Sequence, residues 1–548
     1  MKCWKRVVLS LLLALSLGAC GENDTLVPEP EAPAPADPVT DPVTDAADFS
    51  CQVQQPYPYA ESIPYGSIHA GPGNNDWVPC TLAPAFEESW HALQGYGVAQ
   101  PNTFSPDGSV TYVTSSRPTP EACTLHALST SDGSVRWCHA YEGAIWSAVE
   151  VDLDGHLYVA TGTTIVSLTA EGEERWVTPT PAHDYGDNGA VGLHFTPDGH
   201  LATVTNHGTA LLVSRTDGAI LASLDLPAAF GFDVPPPPEN ELSLMDLLPQ
   251  AVLDDFAMLQ TGDPSALLDV FSGTGNFSDN TIAVAPNGDL YVVGGGPTMG
   301  MSAVMQIRVD GTPEAPTLSP GWHGELVESS AASPAVSPDG ATLKVADGNS
   351  MPNFLDPENA SAHIRLFDIA SCDANGDGDP DPDRCIPDLS IPLATGPIMG
   401  TTPLLDDRVH YVYETQFSEI LEDIWVDLRA FEGDTLLWET RLPDGLQWTS
   451  VITVTNDHLV GTATRFTASD TAIFTVELPR TAQSELVLVD RQTGALTFRA
   501  PITDDASSTV TVGPDGSLYV TLLSLLHTMS LETHPVAGVI RFTPQAAE

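Results

Sequence analysis

The chain has 548 residues, with 73 Asp and Glu against 19 Lys and Arg and a formal net charge of −54. So acidic a surface repels phosphate backbones and anionic headgroups, both of which are gripped through Lys and Arg. Nucleic-acid binding is excluded, a membrane can be met only through an anchor, and the charge suits solubility or the attraction of cations.

Residues 1–19 have a basic start (Lys2, Lys5, Arg6), an apolar run from Val7 to Leu17 and small residues before a cysteine, the grammar of an export signal. The run is too short for a comfortable membrane span. Leu17-Gly18-Ala19-Cys20 resembles the bacterial lipobox, which implies lipidation of Cys20 and an address in the bacterial cell envelope, at the outer membrane or cell surface. An ordinary cleaved signal peptide is the alternative. Once the leader is gone, Lys344 is the only lysine.

Residues 20–50 are rich in Pro and acidic residues and carry no basic ones, too little apolar surface to fold, so they read as an extended disordered tether. Six cysteines follow, an even set in an exported chain, and their proximity pairs Cys51 with Cys80, Cys123 with Cys138 and Cys372 with Cys385. The turn Thr130-Ser131-Asp132-Gly133 folds the second pair together. Residues 51–84, rich in Pro, Gly, Tyr and Asn, read as an irregular cap over one end of the next domain.

That domain spans 85–548. Its organising unit is a turn between apolar strands: Ser105-Pro106-Asp107-Gly108, Asp154-Gly155, Pro197-Asp198-Gly199, Pro286-Asn287-Gly288, Pro338-Asp339-Gly340 and Pro514-Asp515-Gly516, with weaker copies at 404–407 and 454–457. Asp-Gly and Asn-Gly supply the positive φ of tight hairpins. Eight such units, each about four strands, predict an all-β, eight-bladed propeller. Ser89-Trp90-His91 has no hairpin before it, so it is expected to complete the last blade, whose own run ends at Gly538–Phe542, and to close the ring.

The blade pattern is a Leu-Tyr-Val-Ala strand, a strand ending in Leu, an acidic-Gly turn and a strand ending in Trp, with Trp137, Trp176 and Trp438 in the last position. It resembles the tryptophan-docked repeat of the quinoprotein-type (PQQ-like) propellers. In that family the quinone-dependent dehydrogenases hold an adjacent cysteine pair against the cofactor; this chain has no Cys-Cys, so no PQQ is expected. The lipobox and the blade number resemble another branch, exported lipoproteins that act as scaffolds in outer-membrane barrel assembly.

Alternating hairpins sort the connections. The Asp-Gly turns share one face; the second-to-third-strand loops and the links between blades share the other, where the long segments lie. Function is expected there. The longest, 229–278, has apolar residues at helical spacing and reads as a helical insertion that packs on the propeller as a lid, with a partner-binding helix pair as the alternative. By position, Asp184, Asn276, Asp279, His323, Asp347, Asn349 and Glu414 are candidates to line a pocket at the channel mouth.

Between Cys372 and Cys385, Asp373, Asn375, Asp377, Asp379 and Asp381 place oxygen donors at alternate positions, with Gly378 for a sharp turn. Arg384 stands where an EF-hand has Glu, so the loop is expected to hold a structural calcium in another manner; a solvated acidic hairpin tip is the alternative. His183, His194, His200 and His207 have no zinc spacing. The sequence therefore predicts an envelope propeller that binds an envelope or extracellular protein or a small ligand. A propeller enzyme (lactonase, lyase or oxidoreductase) working at the long-loop face is the alternative.

Overall fold

The computed structural model describes residues 50–51, 57–59, 63–116, 118–119, 121–141, 147–184, 186–232, 277–278, 280–295, 302–326, 330, 332–347, 362–370, 372, 385–393, 403–405, 409–417, 424–467, 472–473, 476–477, 480–506 and 509–545. Cys20, residues 233–276 of the lid expected over 229–278, and all five calcium-loop donors lie outside them.

Eight antiparallel sheets form the propeller. Blade one is Thr103–Phe104, Val110–Thr114, Leu125–Ser129 and Val135–His139, from the innermost strand outward. Blades two to five repeat that order, and blade six has Leu404 bridged to His410 where an inner strand would stand. Blade seven is built on the long pair His458–Thr467 and Thr481–Asp490. In blade eight Val510–Val512, Leu518–Leu522 and Gly538–Gln545 are joined by Ala85–Ala92 as the outer strand. The expected closure by the Trp90 segment is thus the observed one.

Strand burial follows from this stacking. Val110–Thr114, Leu125–Ser129 and Leu157–Thr161 are buried at every position because each is covered on both faces by neighbouring blades. Outer strands such as Val135–His139 and Ile220–Asp225 have no buried position, and their exposure varies residue by residue. In the turns, Asp107 accepts from the Ser105 hydroxyl at 2.7 Å and the Ser109 amide at 3.0 Å, and Asp339 does the same with Ser337 and Ala341. These bonds, the serine hydroxyl first, hold both carboxyls below the usual range.

Blade-to-blade docking uses the predicted tryptophans. The indole N–H of Trp137 donates to Ala170 O, that of Trp176 to Arg215 O and that of Trp438 to Arg491 O, each on the third-to-fourth-strand turn of the next blade. Trp90 does the same across the closure, to Thr130 O. Each ring lies over a glycine with positive φ: a Cβ at Gly133 would come within 2.9 Å of Trp90. Blade four departs, with Trp322 buried and stacked on Phe367 of blade five at 5.8 Å. The disulfides Cys51–Cys80, Cys123–Cys138 and Cys372–Cys385 are the three expected.

Candidate functional site: the plugged axis and the loop face

The inner strand of a propeller blade is a sheet edge whose outward N–H and C=O groups need partners. Here residues 57–59 and 63–82 supply them. This segment does more than cap one end: it enters from the Asp-Gly turn face and threads among the inner strands. Val284 N donates to Pro72 O, Val336 N to Gly73 O, Leu404 N to Asn75 O and Val454 N to Asp76 O, while Val78 N donates back to Val454 O. Asn74 Nδ2 reaches the carbonyls of Ile282 and Pro334, both at 3.1 Å. Tyr65 donates to Thr509 of blade eight, Leu153 N of blade two donates to Pro58 O, and Ile63 packs with Val98 and Phe104 at blade one. With Asn74 Oδ1 also bonded to the His194 ring of blade three, every blade is touched.

His69, Ala70, Asn74 and Asp76 all have positive φ, between 49° and 67°. Such backbone persists only where its surroundings over-determine it, and the bonds just described do so.

The plug carries a buried polar network. Asp76 faces His69 Nδ1 at 3.0 Å, and His69 Nε2 meets Ser333 at 3.2 Å. Tyr59 donates to Glu150 Oε2 at 2.5 Å, and the His194 ring, bonded to Asn74 Oδ1, stands 3.5 Å from the other Glu150 oxygen. Burial pushes the Glu150 carboxyl well above the usual range and His194 down to about 3, so His194 is neutral. Lys344 Nζ donates to Pro403 O at 2.6 Å; burial lowers its pKa to about 7, with Asp76 opposing. Burial likewise raises Asp76, against the pull of His69 and Lys344.

Of the seven predicted pocket residues, the four that are described, Asp184, His323, Asp347 and Glu414, stand in separate blades or links. Asp347 is fully buried at the end of a blade-five strand, bonded to Arg365 at 2.6 Å and to the His363 amide. Glu414 is fully buried in blade six against Arg429, which also holds Glu439. Both carboxylates are thus neutralised within their blades rather than presented at a mouth. His323 is on the outer strand of blade four, the strand farthest from the axis, where Phe230 and Phe232 pack edge-on against it. Asp184 is exposed in the link between blades two and three, beside the stacked rings of His183 and His207 at 4.3 Å. Asn276, Asp279 and Asn349 lie outside the described residues.

Two groups bring acidic and imidazole donors together among the described residues. In the first, Asp152, Asp154 and His156 at the blade-two turn, Asp152 is bonded to Arg215 of blade three at 2.6 Å and to Tyr158 at 2.9 Å, which makes it an interblade knot. The second is Asp504, Asp505 and His527 on the loop face, all buried. Neither group was singled out from the sequence. A Glu inside the apolar run Val149-Glu150-Val151 and the single Lys in Leu343-Lys344-Val345 were the available signals for the axial network.

No protein-family profile and no curated protein matches this chain. Solved structures do. Quinohemoprotein alcohol dehydrogenase from Comamonas testosteroni superposes over 90% of this chain and 82% of its own, with TM-score 0.56 and 10% identity. A europium-containing methanol dehydrogenase superposes over 88% and 98%, with TM-score 0.50 and 9% identity. The fold is the quinoprotein-type propeller. BamB from Moraxella catarrhalis superposes over 84% of this chain and 99% of its own at 12% identity, with a TM-score of 0.44. At these identities the quinoprotein-type fold is what is shared; chemistry has to be argued from this propeller's own residues.

Proposed function

We propose that the protein is an exported, lipid-anchored binding protein of the bacterial envelope, a scaffold or receptor that presents the long-loop face of a rigid propeller to an envelope protein, an extracellular protein or a small ligand. The observation that carries this reading is the plug. Residues 57–59 and 63–82 occupy the turn-face end of the axis and bond to the inner strands, so the ring is braced from within and the opposite face is left to receive a partner.

The reading is tested with photo-crosslinking side chains introduced at Thr163, Asp184 and Asp187 on the loop face, and at Asp132, Glu171 and Asp217 on the turn face, in living cells. Defined adducts from the first set alone are expected. Adducts confined to the second set would place the partner on the wrong face.

Lipidation of Cys20 forms part of the proposal, with the acidic tether giving reach on the order of 90 Å when extended at about 3.1 Å per residue. Incorporation of labelled fatty acid should vanish in Cys20→Ser. Calcium in the loop of Asp373, Asn375, Asp377, Asp379 and Asp381 is also proposed, because the Cys372–Cys385 disulfide draws the loop ends together and so concentrates negative charge that a divalent ion would relieve. Calorimetric calcium titration of wild type and Asp377→Ala tests it, and equal binding by both would reject it.

A further inference from the structure

We propose that Asp504, Asp505 and His527 form a buried zinc-type site that clasps the ring at its closure. Asp504 and Asp505 lie in the link from blade seven to blade eight, and His527 lies in the short helix Leu525–Thr528 after the second strand of blade eight. One carboxylate oxygen from each aspartate and one ring nitrogen lie within 4.8 Å of one another, in residues at most 2% exposed.

The arrangement around these atoms is that of a prepared site. Asp505 Oδ1 accepts the amides of Leu526 at 3.0 Å and His527 at 2.9 Å, while its Oδ2 has no hydrogen-bond partner. Asp504 Oδ2 accepts the Ser524 hydroxyl and the amides of Val536 and Ala537, and its Oδ1, which takes the Asp505 amide at 2.8 Å, faces His527 Nδ1 at 3.4 Å. His527 Nε2 meets Ser484 Oγ at 3.1 Å, and Nδ1 has no hydrogen-bond partner. With the proton on Nε2 and donated to Ser484, Nδ1 presents a lone pair toward the two carboxylates. Metal-bound histidines are oriented through the other ring nitrogen in this way.

Two buried carboxylates side by side need either a shared proton or a cation. A divalent ion would balance both carboxylates and use the imidazole lone pair, which a proton on Asp505 leaves idle. The mixed oxygen and nitrogen set suits Zn²⁺ better than Ca²⁺ or Mg²⁺, which favour oxygen alone. The site would also fix strained backbone: Ser524 and Ala537, both bonded to Asp504, have φ of 65° and 57°, and Ala537 leads into the closing pair of strands.

The test is calorimetric Zn²⁺ titration of the chelator-treated full-length protein in saturating Ca²⁺, with Co²⁺ as a spectroscopic substitute. Wild type should bind one tight Zn²⁺ and give visible d–d absorption with Co²⁺. Asp505→Asn should lose both, and His527→Gln should weaken Zn²⁺ at least about tenfold. Ser484→Ala, which leaves all three donors in place, should weaken Zn²⁺ about tenfold while still folding in chelator, and so covers the case in which Asp505→Asn does not fold. Equal Zn²⁺ binding by wild type and variants would mean ions held by the acidic surface only and would overturn the proposal. So would absence of tight Zn²⁺ in wild type together with an Asp505→Asn protein that melts no lower, the behaviour of a protonated carboxyl pair.

Discussion

Trp90 donates its indole N–H to the carbonyl of Thr130 at 3.0 Å, forty residues on in sequence and across the seam where the last blade meets the first. The ring also meets Tyr519 edge-on at 5.8 Å and joins Ile63, Phe104, Leu128 and Val539 in one apolar cluster. This residue therefore belongs to the outer strand, the closure and the contact with the plug at once.

Replacement Trp90→Ala is expected to lower unfolding free energy by about 3–5 kcal/mol, the usual loss for a large buried aromatic. Gly133→Ala should also destabilise, because the added Cβ would collide with the ring at a backbone φ of +71°. Denaturant unfolding monitored by circular dichroism measures both.

Glu150 sets a pH dependence. Its folded pKa lies above the unfolded value of 4.5, so the folded state binds the proton more tightly and stability is lost as pH rises from about 4.5 through the folded pKa. Within that window the loss is about 1.4 kcal/mol per pH unit. Glu150→Gln removes this slope: relative to wild type the variant should be no more stable at pH 4 and more stable at pH 8, as read from thermal melts across that range. A wild-type advantage that grows with pH would contradict the assignment.

In protein lacking residues 1–19, Lys344 is the only lysine. Its depressed pKa leaves the amine largely neutral at pH 8, so an amine-acylating reagent would modify it readily if it could reach it. The residue is 1% exposed and its amine is bonded to Pro403 O, so mass spectrometry should find Lys344 unlabelled in the native protein and labelled after denaturation. Prompt native labelling would mean that the axis is open.

The parts of the fold legible in the sequence are those built by local chemistry. Asp107-Gly108 makes its hairpin from bonds to Ser105 and Ser109, and Cys123 meets Cys138 because a turn lies between them. Trp90 was readable as a closing strand because its motif repeats that of Trp137. The plug was not readable, since Asn74 reaches Ile282, 208 positions away, and Tyr65 reaches Thr509, 444 away. Nothing in the local pattern of residues 57–82 names those partners. The same holds for the site: position suggested that Asp347 and Glu414 face a channel, but the register places Arg365 and Arg429 beside them and turns each into an internal ion pair. Asp504 and His527 converge only because a blade link and a strand loop meet in space.

Amide hydrogen exchange at Val284, Val336 and Val454 tests the threaded axis most directly, because these inner-strand N–H groups have their partners in Pro72, Gly73 and Asp76. Exchange in the peptides that contain them should be among the slowest in the chain under native conditions, and should accelerate together when the plug is weakened by Asn74→Ala. Exchange as fast as that of the exposed turns at Asp132 and Asp217 would show that the inner edges are unpaired and the axis unoccupied.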